Sequence, residues 1–298
     1  MNRQKMLFIY NPHAGKAQIR SNLLDMIDIF TKAGYEVTAY PTQMQGDAQS
    51  VFHRDMDAYE MIVCSGGDGT LDEVVTGMME TGVQIPLGYI PAGTTNDFAK
   101  SLHIPRNMIK AANSVVNGRD YYCDVGSFND DIFVYIAAFG LFTDVSYETD
   151  QELKNNLGHL AYVLKGINKL STIESFPMAI SYDGITIEGE FIFGMITNSL
   201  SVGGFKAMGC QEVDLDDGLF EATFIKKPET LNEMNKIILF LLGNCVSDPC
   251  IINIKVSNLK IKALYSIPWT LDGEFGGNHS QVTIDNHKKA LCIRVPEV

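Results

Sequence analysis

The residues best suited to chemistry in this sequence lie in Ser65-Gly66-Gly67-Asp68-Gly69-Thr70, between an apolar run, Met61 to Cys64, and a helical pattern from residue 71. Closely spaced glycines let a backbone turn sharply and bring its N–H groups close to an anion. Thr70 and Glu73 have capping-box spacing, which predicts a helix that starts at Thr70 with its positive dipole end towards the loop, a phosphate site. Asp68 is the unusual member. A carboxylate in a phosphate cradle repels the ligand unless a divalent cation or an ordered hydrogen bond lies between them, and Mg2+ with its waters is the economical choice. On residues alone, the segment also reads as a glycine-rich turn in which Asp68 bonds local N–H groups. Two commoner loops fail on spacing. A Walker loop ending at Gly15-Lys16 would need glycine where Tyr10 stands, and a dinucleotide fingerprint from Gly67 would need glycine where Asp72 stands.

The elements that must position this loop alternate as strand and helix. Strands are predicted at 7–10, 36–40, 61–64 and 87–90, with helical spacing at 19–30, 48–54, 71–80 and from Asn96. The pattern predicts a doubly wound parallel α/β sheet, whose ligands bind outside the carboxyl ends of the strands. Three further loops fall at that edge: Asn11-Pro12-His13-Ala14-Gly15, Thr42, and Pro91 to Asp97, where Asn96 or Asp97 is placed to cap the next helix. Each alone is an ordinary turn; together with residues 66–70 they point to a ligand. After about residue 120 long β-like runs take over, at 132–139, 178–182, 186–197, 218–225, 251–256 and 290–295, interrupted by helical spacing at 152–171 and 229–242. The expected division is an α/β nucleotide-binding domain over 1–125 and a β-sandwich-like acceptor domain over 126–298, with about 285–298 packing back onto the first.

Composition narrows the partners. With 298 residues, 46% apolar and 20% charged, the chain can form two compact domains. A net charge of −13 argues against general nucleic-acid binding, which needs a surplus of Lys and Arg. The apolar run Ile237 to Leu242, like every other in the chain, is far below the ~20 residues of a membrane span, so a cytoplasmic protein is expected. Six cysteines without a C-x-x-C pair suggest neither a zinc site nor a disulfide framework, and buried free thiols are expected.

The order of motifs resembles the bacterial diacylglycerol kinases and related lipid kinases, which share a nucleotide loop with NAD kinases. The resemblance rests on Asn11-Pro12-x-x-Gly15, Gly66-Gly67-Asp68-Gly69-Thr70-Leu71, Gly93-Thr94-Thr95-Asn96-Asp97-Phe98-Ala99, Leu215-Asp216-Asp217-Gly218-Leu219 and Leu271-Asp272-Gly273-Glu274. It implies ATP contacts from Asn11, Pro12, His13, Ala14, Gly15, Thr42, Gly66, Gly67, Asp68, Gly69, Thr70, Leu71, Asp72 and Thr95, and Asn96 joins this set as the cap beside Thr95. It also implies a structural Mg2+ around Asp214, Asp217 and the backbone of Leu219, a stretch that otherwise reads as a solvated acidic turn. Position 72 is Asp where the family more often has Asn. Thr95 stands where many relatives have glycine, which favours the diacylglycerol branch.

The resemblance places the proton acceptor at Glu274, with Asp272 nearby, so Glu274, Asp272 and Asp68 are the catalytic candidates. In an extended segment Asp272 and Glu274 point to one side, and paired carboxylates can separate into metal-facing and base roles. A polar hairpin over 272–278 is the plain alternative. The expected reaction is in-line transfer of the ATP γ-phosphoryl group to a lipid hydroxyl, with diacylglycerol the expected acceptor. NAD phosphorylation or a non-catalytic nucleotide-binding module are the rivals. A lipid acceptor implies a peripheral protein with transient contact at the inner membrane surface, for which Lys154, Lys165 and Lys169 and the Gly203–Gly209 loop are candidates. A homodimer is left open.

Overall fold

The computed structural model describes residues 3–17, 19–140, 173–199, 201–202, 205–206 and 213–297. The expected helix at 152–171, with Lys154, Lys165 and Lys169, lies outside the described residues, as does most of the 203–209 loop. The chain divides into two compact units, one of residues 1–125 with 288–298 and one of residues 126–287.

The first unit begins with β1 (Gln4–Tyr10), α1 (Ala14–Ala17), α2 (Ile19–Lys32) and β2 (Tyr35–Pro41). A short helix α3 (Asp47–Ser50) and a single 3-10 turn (Val51–His53) lead to β3 (Met61–Gly66), α4 (Asp68–Thr81) and β4 (Leu87–Pro91). Then come α5 (Asp97–Ser101), α6 (Met108–Asn117) and β5 (Arg119–Phe128). Strands β2, β1, β3 and β4 lie side by side in that order with parallel pairing. β3 and β4 are buried along their whole length, as continuous apolar strands covered on both faces must be. α2 buries Ile19, Met26 and Phe30, and Phe30 meets Phe8 of β1 edge to face at 5.5 Å.

The second unit contains β6 (Asp131–Phe133), β7 (Ile136–Gly140), β8 (Phe176–Tyr182), β9 (Ile185–Thr197) and a small ribbon, β10 (Ser201–Val202) with β11 (Phe205–Lys206). It continues with β12 (Phe220–Lys226), α7 (Leu231–Leu241), β13 (Ile251–Val256), β14 (Asn258–Leu271) and β15 (Glu274–Val295), whose far end belongs to the first unit. α7 starts on a capping box, Thr230 with Glu233.

The doubly wound parallel domain with a separate β-sandwich is not what forms. Thirteen strands share one mixed sheet, in which the neighbour of β4 is the end of β15, Ile293 and Arg294 pairing in parallel with Leu87 and Gly88. The other end of β15 runs antiparallel to β14. Hydrogen bonding therefore continues past the parallel strands instead of stopping at a domain edge. Within the second unit β7 pairs β9, β9 pairs β8, β8 pairs β14 and β14 pairs β7, all antiparallel, so these strands close a small barrel. Local periodicity signals the crossovers, but not a strand contributed from the far end of the chain.

The barrel is filled by large side chains, among them Phe139, Phe176, Ile180, Phe191, Ile261 and Trp269. Phe139 sits 4.8 Å from Trp269 and 6.2 Å from Phe176, ring centre to ring centre. Truncating it leaves a void that rigid strands cannot close. Phe139→Ala is expected to lower stability to urea by about 3–5 kcal/mol. Ile185→Ala, at a half-exposed strand end, should cost no more than about 0.5 kcal/mol. Equal costs in urea titrations would show that the barrel is not the stabilising core.

Candidate active site

In the first unit the loops after β1, β3 and β4 meet. Asn11 N–H donates to the Ser65 carbonyl at 2.9 Å, and Ala92 N–H to that of Gly66 at 2.8 Å. Asn11 also accepts the His13 N–H at 2.9 Å, which folds residues 11–13 into a tight turn. Gly15 has φ +54, and a Cβ there would lie 1.8 Å from the Ala92 carbonyl oxygen. A Cβ on Gly93 would lie 2.8 Å from the Gly67 Cα. Only glycine permits these approaches. Thr42, buried, joins the same edge through its N–H to the Tyr10 carbonyl at 2.9 Å.

Asp68 is the first residue of α4, two positions earlier than the capping-box spacing predicts. Its carboxylate accepts the Asn96 N–H at 3.0 Å, which ties the loop after β3 to the loop after β4. Asn96 is left-handed, with φ 50, and its amide is knotted to Gly93, accepting from the N–H at 2.9 Å and donating to the carbonyl at 2.6 Å. Arg106 fastens the same turn by donating to the Thr94 and Thr95 carbonyls at 2.9 and 3.3 Å. Beneath the loop, the buried Tyr89 hydroxyl reaches the Gly66 carbonyl at 3.3 Å. Burial, and then the nearby Asp68 charge, raise the pKa of that phenol well above its usual value, so it stays a donor.

Glu73 does not close a capping box with Thr70. Because α4 begins at Asp68, Glu73 lies in its second turn, and its carboxylate instead accepts the N–H groups of Gly46 and Ala48 at 2.8 and 3.1 Å. It thereby fixes the segment that follows Thr42. Thr70 and Leu71 both direct their N–H groups to the Gly67 carbonyl at 3.1 Å, and the Leu71 side chain is core. Asp72 is half-buried at the start of the second turn of α4. Glu73, Tyr89 and Arg106 brace the loops without having been singled out as site residues. Tyr89 gives no signal at all, since a tyrosine inside an apolar strand reads as core.

In the second unit Asp272 and Gly273 both have positive φ, +48 and +87, and Leu271 pairs with Glu274. This is a two-residue hairpin turn of the primed kind that Asp-Gly favours. The turn separates the two carboxylates that an extended strand would have aligned. Asp272 is buried, accepting the N–H groups of Val134, Tyr135 and Ile136, the last two at 2.9 Å. Those contacts also explain the break between β6 and β7. Glu274 is exposed at the start of β15.

The acidic turn at 214–219 packs carboxylates together. A hydrogen bond with Asp216, then partial burial and neighbouring negative charge, raise the Asp214 pKa. Asp217 accepts the Leu219 N–H at 2.8 Å and lies 3.6 Å from Lys255, which is 3.1 Å from Glu221. Among the described residues no group of three or more His, Cys, Asp or Glu side chains is arranged to hold a metal. Of the cysteines, Cys64, Cys123, Cys250 and Cys292 are free thiols, whereas Cys245 is disulfide-bonded, against the expectation of free thiols throughout.

Comparison with known proteins supplies the context. Residues 5–128 match the diacylglycerol kinase catalytic domain, and residues 137–292 match the YegS C-terminal NAD kinase beta sandwich-like domain. A diacylglycerol kinase of Staphylococcus carnosus (strain TM300) is 35% identical over 276 residues, 92% of this chain and 90% of that protein. One from Bacillus subtilis (strain 168) is 36% identical over 271 residues, 90% and 89% of the two chains. A solved diacylglycerol kinase structure from Bacillus anthracis str. Sterne shares the fold at a TM-score of 0.76, with 24% identity over 99% of this chain and 98% of that one. Because both domain profiles match in order and the relatives' identity extends over nearly the whole length, the chain belongs to the bacterial diacylglycerol kinase family.

Proposed function

We propose that this chain is an ATP-dependent lipid kinase that transfers the γ-phosphoryl group of ATP to the hydroxyl of a diacylglycerol, giving phosphatidic acid. The observation that carries the reading is the meeting of the glycine loops around Asp68, whose carboxylate is tied to Asn96 at 3.0 Å. In this reading main-chain N–H groups at the α4 terminus and in the loops at 11–15 and 93–96 hold the triphosphate. Helix termini and clustered N–H groups suit anions of that kind. Thr42 and Thr95 contribute to the nucleotide site from the neighbouring loops.

Glu274 is the proposed base. A lipid alcohol is a poor nucleophile, and an exposed carboxylate that can come within hydrogen-bond reach takes its proton as the O–P bond forms. Asp272, held by three N–H groups, fixes the hairpin that presents Glu274. Mg2+ fits the oxygen-only donor sets at Asp68 and at Asp214, Asp217 and the Leu219 backbone. One or two carboxylates with water are what this ion accepts, so a three-carboxylate cage is not required. When bound, it would supply positive charge to the phosphate oxygens beside Asp68 and neutralise the crowded turn at 214–219.

No helix among the described residues is long and apolar enough to cross a membrane. The acceptor resides in a bilayer, and transient peripheral contact at the cytoplasmic face is the mode proposed.

Incubation with labelled ATP and detergent micelles containing dioleoylglycerol should yield labelled phosphatidic acid, with no label entering NAD. Label in NAD, or in neither acceptor, would refute the reading. Glu274→Gln should lower kcat by about 10²–10⁴ while leaving KM for ATP near normal. Asp68→Ala should abolish turnover yet fold, with a stability loss of about 1–3 kcal/mol for the Asn96 N–H that loses its acceptor. An Asp68→Ala enzyme of near-normal activity would remove that residue from the mechanism.

A further inference from the structure

We infer that His279 is a positioning residue for Glu274, through an imidazole clamp on the bulge that follows the hairpin turn. The inference rests on the reading of Glu274 as the base. Leu271 pairs with Glu274 and Thr270 with Phe275, but Pro268 pairs with Asn278. Gly276 and Gly277 therefore both oppose Trp269, which makes a β-bulge immediately after the catalytic hairpin. Bulges of this kind bend a strand and re-aim the side chains beside them.

The clamp has a defined polarity. Asn129 accepts the Thr283 N–H through its side-chain oxygen at 2.9 Å, so its Nδ2 is the atom turned towards the His279 ring. That Nδ2 lies 3.4 Å from His279 Nδ1 and also 3.4 Å from the Gln281 carbonyl oxygen. Nδ1 must then accept, the ring proton sits on Nε2, and Nε2 donates to the Gly276 carbonyl at 3.0 Å. The hydrogen bond closes across the bulge itself.

Packing holds the ring in the same place. Gly277 has φ +91, and a Cβ there would lie 2.6 Å from His279 Nε2, so the imidazole rests directly on the bulge backbone. Phe128 and the imidazole meet edge to face with 5.3 Å between centroids, and Phe128 in turn packs on Trp269 at 4.9 Å. Trp269 is the residue facing the bulge from the opposite strand. The chain Asn129, His279, Gly276 thus connects the fixed turn after β5 to a backbone two residues beyond Glu274. Among the described residues no carboxylate is within ion-pair reach of His279. What the ring supplies is a directed N–H, not a charge.

The test compares His279→Ala, His279→Gln and His279→Asn, with Glu274→Gln in parallel. The amide nitrogen of glutamine reaches the position of Nε2, whereas that of asparagine stops near Nδ1. His279→Ala is expected to lower kcat about five- to tenfold, the scale of one net hydrogen bond, with KM for ATP unchanged and Tm lowered by only about 1–4 °C. His279→Gln should restore most of the loss and His279→Asn should not. Wild-type kcat in His279→Ala, equal loss in the Gln and Asn variants, or kcat losses that simply track Tm across all three variants would overturn the positioning role. If Glu274→Gln keeps near-normal turnover, the base assignment fails instead. A silenced Glu274→Gln beside a fully active His279→Ala overturns only the clamp.

Discussion

A carboxylate inside a glycine loop persists only where its charge is met, and one group that meets the charge of Asp68 is the main-chain N–H of Asn96, 3.0 Å away. That single contact joins two loops that arrive from different strands. It requires Asn96 in the left-handed region, which its own amide secures by closing on Gly93. It also requires the Gly67 and Gly93 backbones to approach more closely than any side chain allows. The glycines, the Asn96 knot and the Arg106 brace are therefore parts of one constraint: to hold an acid still beside a cluster of N–H groups.

The second unit uses the same physics for a different end. Asp272 is immobilised by three consecutive N–H groups, at the cost of interrupting the strand that carries them. Two residues on, Glu274 stands exposed. Neighbouring carboxylates with such different surroundings suit different tasks, one structural and one open to proton exchange. The hairpin turn, not the alternation of an extended strand, separates them.

Much of the local structure was legible in the sequence. β1 to β4 form where apolar runs sit between turn residues, and α2 and α7 where residues recur at helical spacing. The glycine loop was legible because glycine, aspartate and helix onset occur together at 66–70. The sheet was not. The alternation of β14 is interrupted by Leu264, Tyr265 and Pro268, the first half of β15 hardly alternates and holds two glycines, and the pairing of Ile293 with Leu87 joins residues far apart in the chain. Nothing local announces such a pairing. Glu73 misled because it sits at capping-box distance from Thr70, yet it serves a helix some twenty-five residues upstream. Asp272 misled for a related reason: Asp-Gly is the stronger signal of a turn, and that signal outweighs strand alternation.

Calorimetry of ATP binding tests the proposed place of Asp68 beside the triphosphate most directly. Measured with and without EDTA, the wild-type affinity should weaken at least about tenfold when divalent metal is removed, while Asp68→Asn, lacking the repelling charge, should lose far less. Equal wild-type affinity in the presence and absence of metal would contradict the account.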